Sequence, residues 1–512
     1  MSLIKSTATI GGYTLISRVM GFIRDITIAS GIGASYLSDA FFVAFKLPNF
    51  LRRLFAEGAF NSAFVPMFSG MLAVEGKDKA RDFASQAMSF LLMVLLIVTG
   101  VFILIMPWLM YLLAPGFVSD PTKFELTILL TRITMPYIIF ISLVSLLGGI
   151  LNSSDKFAAV AATPIIMNLC LICVPWLIQD FTPTLAHGLA IAVFVSGIAQ
   201  WLWLVRFCRR QNMLPKLVRP RLSPEVKKLL LLIAPAALGA GVAQINLFVD
   251  IIIASQFESG VSYLYYADRI NELPLAVIGI AVGTAILPML SRKVREGKKD
   301  EANHSHNRAI ELALFLSIPS AVGLAMVAES VIRVMYFRGA FTLFDMTETS
   351  RVLVAFAFGL PAFVMIKILA PGFFANEDTK TPFKIATFCI VLNIVLNLML
   401  MGHFKYVGMA MATTISGWVN VVLLGVLLTR RGWLTIEPKL IKELCKVVVA
   451  VVVMVAGLYA VEDAVTPYLQ EGEIIRALAL IVWVCIGAVA YFLVAYALNI
   501  IGMRARLSII RK

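Results

Sequence analysis

Charged residues are scarce in this sequence, and their scarcity argues against a soluble fold. Of the 512 residues only 14% are charged, whereas 60% are hydrophobic, and the mean hydropathy is +0.90. A soluble globular domain carries about 25% charged residues. Long apolar runs recur from end to end, more than one buried core could hold. The sequence therefore predicts an all-α integral membrane protein.

Cysteine and histidine are also few, which leaves little material for a metal or redox centre. Among six cysteines, Cys170 and Cys173 form a C-x-x-C, but it lies within an apolar run. The four histidines do not cluster with carboxylates, and we expect no metal site and no bound cofactor. Residues 1–12 lead straight into a long apolar run, so no cleavable signal peptide is predicted. The polar stretches are short, and no soluble domain is predicted.

Apolar runs of helical length predict about fourteen transmembrane helices. The predicted spans are 8–33, 36–70, 84–113, 126–151, 157–179, 184–206, 228–256, 261–291, 307–337, 350–375, 381–402, 405–429, 441–462 and 473–502.

The positive charge of the chain is distributed unequally between alternate loops. With the N-terminus inside, the even-numbered loops hold most of the lysines and arginines, including the clusters at 209–221 and 292–299. The opposite loops hold few, the main exceptions being Lys123, Arg338 and Lys405. This bias predicts that both termini are cytoplasmic. It also accounts for the net charge of +14, so nucleic acid is not an expected partner.

Two pairs of segments show that the chain repeats itself. Residues 136–164 resemble 361–387, and residues 63–80 resemble 285–302. An offset of 222–225 relates the members of each pair and maps spans one to six onto spans seven to twelve. We therefore predict two parallel six-helix lobes around a central cavity, an architecture of alternating-access transporters. The predicted organisation is an N-terminal lobe 1–206, a basic cytoplasmic linker 207–227, a C-terminal lobe 228–430, and two additional helices with a basic tail in 431–512.

Several charged residues nevertheless fall inside the predicted spans. Each charge at mid-membrane costs about 2.5–3.5 kcal/mol if it faces lipid, so these side chains must line a hydrated cavity or pair within a bundle. Arginine offers the planar fork that binds phosphate oxygens, which favours a cavity for an anionic phosphate-bearing substrate. Mutual pairing is the structural alternative. The candidate substrate-binding residues are Arg18, Arg24, Asp25, Asp39, Arg52, Arg53, Glu57, Asp268 and Arg269.

A second polar group suggests a coupling-ion site. Asp250 lies four residues after Asn246, Asn393 and Asn397 repeat that spacing, and Thr413 follows in the next span. Their oxygens could hold Na⁺, or Asp250 could carry a proton. Polar side chains that join helices are the competing interpretation, and the membrane potential is an alternative energy source.

The stretches SRVMGFIRD, DAFFVAFKLPNFLRRLFAEGAFNSAFVP and ADRINELPLAVIGIAVGTAILP resemble the MurJ/MviN lipid II flippases of bacteria. These proteins belong to the superfamily of multidrug, oligosaccharidyl-lipid and polysaccharide exporters. The resemblance implies flipping of undecaprenyl-diphosphate-linked disaccharide pentapeptide from the inner to the outer leaflet of the inner membrane. It also implies essential cavity residues at Arg18, Arg24, Asp39, Arg52 and Arg269, and an apolar groove for the lipid tail in the last two spans.

Four other functions remain open, and one of them is a pure scaffold, which the charges within the predicted spans argue against. A drug or organic-cation exporter of the same superfamily would need an acidic and aromatic cavity, which the arginines argue against. Another polyprenyl-glycolipid exporter would share the phosphate chemistry. A membrane glycosyltransferase would need a carboxylate base or metal beside the cavity and a donor-binding loop, and the sequence offers neither. We therefore expect a transporter rather than an enzyme, active as a monomer, with lipid II and membrane lipids as partners and possible contacts with the cell wall synthesis machinery.

Overall fold

A computed structural model describes residues 3–53 and 60–502, with the side chains of 3–10, 234, 236–247, 280, 281 and 284 left out of the description. Glu57 lies outside these residues. Within the described part the chain forms helices α1 to α20. Their bounds are Leu3–Ile32, Tyr36–Leu51, Asn61–Val74, Lys77–Leu113, Pro121–Thr134, Tyr137–Asn152, Phe157–Ala161, Thr163–Leu177, Leu185–Arg210, Pro224–Ala254, Gly260–Pro274, Ile280–Arg295, Lys299–Met326, Ala328–Tyr336, Leu343–Ala357, Leu360–Phe374, Lys380–Arg430, Pro438–Ala460, Glu462–Val465 and Glu473–Ala497.

Each of the fourteen predicted spans coincides with helix, which confirms the all-α membrane fold. Eight helical segments of the described chain are long and apolar enough to cross a membrane, or nine if one bent pair is a single span. The number of fourteen crossings therefore stays a prediction. The fourteen spans predicted from the sequence outnumber the eight or nine helical segments of the described chain. One reason is that several predicted spans consist of two shorter helices.

The interruptions have local causes. Proline has no N–H and clashes with the preceding turn. In the predicted span 36–70, α2 and α3 each continue through a proline, Pro48 and Pro66, and positions 54–59 between them lie outside the described residues. The span 261–291 divides after Pro274, where a π-helical turn, Leu275–Gly279, joins α11 to α12. Conversely, α17 joins two predicted spans across a break at Lys405, whose φ of 49° is non-helical.

The chain packs as two units, divided within α11. The first contains Met1–Ser262 and Arg338–Phe341, and the second contains Tyr263–Phe337 and Thr342–Lys512. In the first unit α2 packs against α5, α1 along α8, and α9 against both α6 and α8. In the second unit α13 packs against α16 and α18, and α16 against α17. The lobe boundary at 207–227 rests on the sequence repeat and stays a prediction.

The two repeated turns have the same backbone. Asp155 and Glu377 both adopt left-handed φ angles, 57° and 61°. The next residue donates its N–H back across the turn in both cases, from Lys156 to the Leu151 carbonyl at 2.9 Å and from Asp378 to the Phe373 carbonyl at 3.0 Å. These positions differ by 222 residues, the offset that also relates segment 63–80 to 285–302. The internal repeat is therefore visible in backbone geometry as well as in sequence.

The last two long helices, α18 and α20, pack on each other and on α13. The Tyr491 hydroxyl of α20 donates to the Phe315 carbonyl of α13 at 2.7 Å, and the Trp483 indole donates to the Leu458 carbonyl of α18 at 2.9 Å. The outward faces are aliphatic, with exposed Val448 and Val452 on α18. This apolar surface is suited to a lipid environment.

Candidate substrate-binding site

Arg24 of α1 is buried and saturated with hydrogen bonds. Its Nε and Nη2 donate to Asp25 Oδ1 at 3.0 and 2.7 Å, and its Nη1 donates to Asn168 Oδ1 on α8 at 3.0 Å. Asn168 in turn donates to the Ser17 carbonyl at 3.0 Å. Arg24 and Asp25 are only 5% and 1% exposed. The guanidinium therefore joins α1 to α8 in this structure.

Asp39, in the first turn of α2, is completely buried. Lys123 Nζ of α5 donates to its Oδ2 at 2.7 Å. Ser262 of α11 donates to its Oδ1 from the hydroxyl at 2.6 Å and from the backbone N–H at 2.9 Å. Ser262 is in the first turn of its helix, where backbone N–H groups lack helical partners and favour an anion. Asp39 is therefore the centre of a polar cluster that connects three helices.

Arg18 and Arg53, by contrast, are exposed. Arg18 has no ion pair or side-chain hydrogen bond among the residues that the structure describes. Arg52 follows the end of α2 and donates from Nε to Asn49 Oδ1 at 3.2 Å. The arginines of the first two predicted spans thus lie in two environments, one sealed and one accessible.

In the second unit, Arg269 of α11 is partly accessible. Its Nη1 donates to Glu272 Oε2 at 3.0 Å, and the two side chains are 32% and 50% exposed. The guanidinium also lies over the Tyr265 ring, 5.6 Å from its centre. Asp268 beside it is exposed. A π-helical turn, a feature that is frequent at functional sites, begins shortly after this group.

The structure brings together three of the residues predicted to bind a coupling ion. Asn393 Nδ2 donates to Thr413 Oγ1 at 3.3 Å, and Asn397 Nδ2 donates to Asn393 Oδ1 at 3.0 Å. Asn393 and Asn397 are 3% and 0% exposed. Asp250 is half-buried on α10 and belongs to the first unit, while the Asn246 side chain is outside the description.

Sequence reasoning missed Lys123, Asn168 and Ser262. The charge pattern places Lys123 in a loop as an exception to the bias, whereas the structure places it in α5. Its side chain is buried against Asp39, and its Nζ lies 4.0 Å from the centre of the Phe117 ring. The sequence position of Lys123 could have indicated this contact, because a lysine on the side of the membrane predicted to be poor in lysine is expected to pair with an acidic side chain. The sequence gives no comparable indication for Asn168 and Ser262, because each is an uncharged polar residue in an apolar stretch.

The helical fold and the charged side chains within its apolar helices define a multi-pass membrane transporter. A family model described as "Lipid II flippase MurJ" matches residues 28–480. The chain belongs to this family.

Curated relatives match over nearly full length. A "Probable lipid II flippase MurJ" of Rhizobium meliloti (strain 1021) is 40% identical over 518 residues, which cover 100% of this chain and 96% of the relative. A "Lipid II flippase MurJ" of Burkholderia cenocepacia is 34% identical over 463 residues, covering 90% of each chain. The similarity therefore includes both packing units.

Solved structures agree with this assignment. The structure of "Lipid II flippase MurJ, inward closed conformation" superposes with a TM-score of 0.79 at 27% identity, covering 96% of this chain and 98% of that one. An inward-facing multidrug resistance MATE transporter of the MOP superfamily gives a TM-score of 0.66 at 13% identity, covering 83% of this chain and 98% of that one. The second likeness shows a shared fold only.

Proposed function

We propose that this chain is a lipid II flippase that moves undecaprenyl-diphosphate-linked disaccharide pentapeptide from the inner to the outer leaflet for cell wall synthesis. The observation that carries the proposal is that the chain matches the MurJ family over nearly its whole length. Arginines within apolar helices supply the chemistry that a diphosphate needs. Flipping breaks no covalent bond, so no residue is given a catalytic role.

The translocation step is alternating access between two lobes. Cations that face a cavity repel one another, and a bound diphosphate relieves this repulsion, which favours closure around the headgroup. The exposed Arg18, Arg53 and Arg269 are ready to meet such an anion. Arg24 would first exchange Asp25 or Asn168 for a phosphate oxygen. The proposed substrate-binding residues remain the nine predicted from the sequence, with Arg18 and Arg269 as the first contacts.

The tail of the substrate would stay in lipid while the headgroup crosses. The apolar outward faces of α18 and α20 support a groove for it, since Val448 and Val452 of α18 and Leu478 and Val489 of α20 expose more than half of their surface. The lysine and arginine bias supports cytoplasmic termini in a bacterial inner membrane. We propose that a monomer suffices and that the cell wall synthesis machinery is a possible partner.

We further propose that Asn393, Asn397 and Thr413 of the second unit supply oxygen ligands to a coupling ion such as Na⁺, or that Asp250 of the first unit carries a coupling proton. The hydrogen bonds that join Asn393, Asn397 and Thr413 support a shared site, because they gather oxygen ligands in a buried place. Asp250→Asn should then slow transport and remove its dependence on the ion gradient. A fully active Asp250→Asn variant with sodium-independent transport would contradict this ion site and leave the membrane potential as the energy source.

The main experiment is depletion and complementation in a bacterium that lacks its own MurJ relative. Cells without the chain should accumulate lipid II on the inner leaflet and lyse. Arg269→Ala should insert normally and fail to rescue. The matched control is Arg333→Ala, since Arg333 also pairs with a nearby carboxylate on its own helix, Glu329 at 3.2 Å, but is not among the proposed substrate-binding residues.

Each result has a clear meaning. Rescue by Arg333→Ala but not by Arg269→Ala supports the flippase with its arginine site. Rescue by both variants would refute the role of Arg269. Lysis without accumulation of lipid II would refute the flippase itself, and a gain of resistance to organic cations would point to a drug exporter.

A further inference from the structure

A cavity of about 510 Å³ is lined by the end of α12, the turn that follows it, and the start of α13. Its first wall is apolar and exposed, formed by Ala285, Pro288 and Met289. One helical turn further on, Arg292 and Lys293 line the same cavity. A helical turn rises about 5.4 Å, so the lining changes from apolar to cationic over a very short distance.

A lining that changes from apolar to cationic in this way is suited to an amphiphilic molecule at the surface of a membrane. A soluble phosphate needs only the cations and gains nothing from exposed Met289 or Pro288. An anionic lipid needs both parts, because its phosphate binds cations while its acyl chains cover apolar surface. Basic pockets at the cytoplasmic ends of transmembrane helices are a recognised form of lipid headgroup site.

The cationic side chains of the cavity form ion pairs with carboxylates, and a phosphate can take the place of these carboxylates. Arg292 Nε pairs with Glu296 at 2.9 Å, and Lys298 pairs with the same carboxylate at 3.1 Å. Lys293 lies 3.6 Å from Glu301 and donates to Ser305 Oγ at 2.8 Å. Three cations against two carboxylates leave one surplus positive charge. These ion pairs are exposed, and exposed pairs are weakened by water and salt, so a phosphate can replace a carboxylate at little cost.

The internal repeat shows that the fold does not require these cations. At the offset of 222, Arg292 and Lys293 correspond to Gly70 and Met71 at the end of α3. At the same offset one lysine, by contrast, occurs in both halves, as Lys77 and Lys299. The positive-inside bias accounts for the shared lysine. The bias concerns the number of cations in a loop and does not fix their positions, so it does not explain why Arg292 and Lys293 lie beside the apolar wall where the first half has Gly70 and Met71.

We propose that this cavity binds the phosphate headgroup of an anionic glycerophospholipid, with Arg292, Lys293 and Lys298 around the phosphate and the acyl chains along Ala285 and Met289. The site is separate from the proposed substrate-binding residues. Its occupancy does not depend on the flippase function.

Native mass spectrometry of the purified full-length chain in detergent tests the proposal. Phosphatidylglycerol and phosphatidylcholine are titrated separately, and retained lipids are counted. The triple variant Arg292→Gln, Lys293→Gln, Lys298→Gln should bind phosphatidylglycerol at least about fivefold more weakly, since each surface cation contributes about 1 kcal/mol to attraction of anionic lipid. Phosphatidylcholine retention should not change. The matched control, Lys77→Gln, Lys79→Gln, Arg81→Gln, removes the same charge in the first half and should keep the affinity.

A second variant tests the site by strengthening it. Hydrogen bonds from Arg292 and Lys298 hold the pKa of Glu296 below its ordinary value, so this carboxylate is ionised at neutral pH and competes with a phosphate. Glu296→Gln should therefore raise phosphatidylglycerol retention, whereas Glu75→Gln, in the corresponding loop of the first half, should not.

Three outcomes would overturn the proposal. Equal losses in the two triple variants would show a general effect of net charge. Unchanged retention in both would show that no site exists. Displacement of the lipid by millimolar glycerol phosphate would show that the cavity binds a soluble phosphate and that the apolar wall has no part in recognition.

Discussion

Two ion pairs, one from each packing unit, differ in exposure, and exposure determines whether a pair can exchange its partner for a ligand. In the first unit Asp39 and Lys123 are both buried, with Oδ2 and Nζ 2.7 Å apart. In the second unit Arg269 and Glu272 are 3.0 Å apart and about one third and one half exposed. Separating a buried pair leaves an unpaired charge, at a cost of about 3–5 kcal/mol. An exposed pair contributes about 0–1 kcal/mol.

This difference separates two kinds of charged residue that the sequence presents alike. Asp39 and Arg24 join helices to one another, and a ligand would have to replace several hydrogen bonds to reach them. Arg269 can exchange its carboxylate for a phosphate with little loss. The sealed pairs are therefore suited to holding a conformation, and the accessible arginine is suited to binding.

The largest effect is expected at the Asp39–Lys123 pair. Lys123→Ala should lower the free energy of unfolding by about 3–5 kcal/mol, because the Asp39 carboxylate loses its counter-ion in a buried place. The measurement is thermal or denaturant unfolding of the purified protein in detergent.

A double variant provides the control for this prediction. Asp39→Asn with Lys123→Met removes both charges and keeps an oxygen that Ser262 can reach. It should recover more than half of the lost stability. If the single and the double variant are equally unstable, the pair is not coupled and the comparison between buried and exposed pairs fails.

The next effect concerns the partner of Arg24. Asn168→Leu removes the acceptor of the Arg24 Nη1 hydrogen bond, and hydrogen bonds to charged groups contribute about 1.5–3 kcal/mol. The unfolding transition should shift by a corresponding amount. Asn168→Asp keeps an acceptor oxygen and should lose less than half as much. Equal losses would assign the effect to the hydrogen bond that Asn168 donates to the Ser17 carbonyl.

The sequence predicted the helices well because their signal is local. Within the described residues the long apolar runs are helical, and Pro274 marks the point where α11 ends and a π-helical turn begins. The repeat was also detectable, since the turns at Asp155 and Glu377 keep an acidic residue in the same left-handed conformation. These features depend on neighbours within a few residues, which a single sequence contains.

The partners of the buried charges were not predictable in the same way. Asn168 and Lys123 are 144 and 84 residues from the groups that they bind, and nothing local reveals these pairings. Whether an arginine is sealed or accessible depends on how helices pack, so Arg18 and Arg24 looked equivalent although one is exposed and the other buried. Packing, rather than hydropathy, distinguishes them.

A smaller effect on stability is expected at Arg269. Arg269→Ala should change the free energy of unfolding by no more than about 1 kcal/mol, because the pair with Glu272 is solvated. Glu272→Gln should be equally mild in the same unfolding measurement. A loss as large as that of Lys123→Ala would show that Arg269 holds the fold, and its failure to complement would then not indicate substrate binding.

The smallest effect is expected at Asp378, in the turn between α16 and α17. Hydrogen bonds from Thr381, and then the Arg431 guanidinium, hold the pKa of this carboxyl well below its usual range. A carboxyl whose pKa is lower in the folded than in the unfolded state stabilises the fold above the unfolded value, about 3.9, and loses that contribution as the pH falls toward the folded value. The Tm difference between the unaltered protein and Asp378→Asn should therefore be constant from pH 7 to about 5 and shrink below about 4. A difference that stays constant down to pH 3 would show that neither the hydrogen bonds from Thr381 nor the Arg431 guanidinium lowers the pKa of Asp378 in the folded protein.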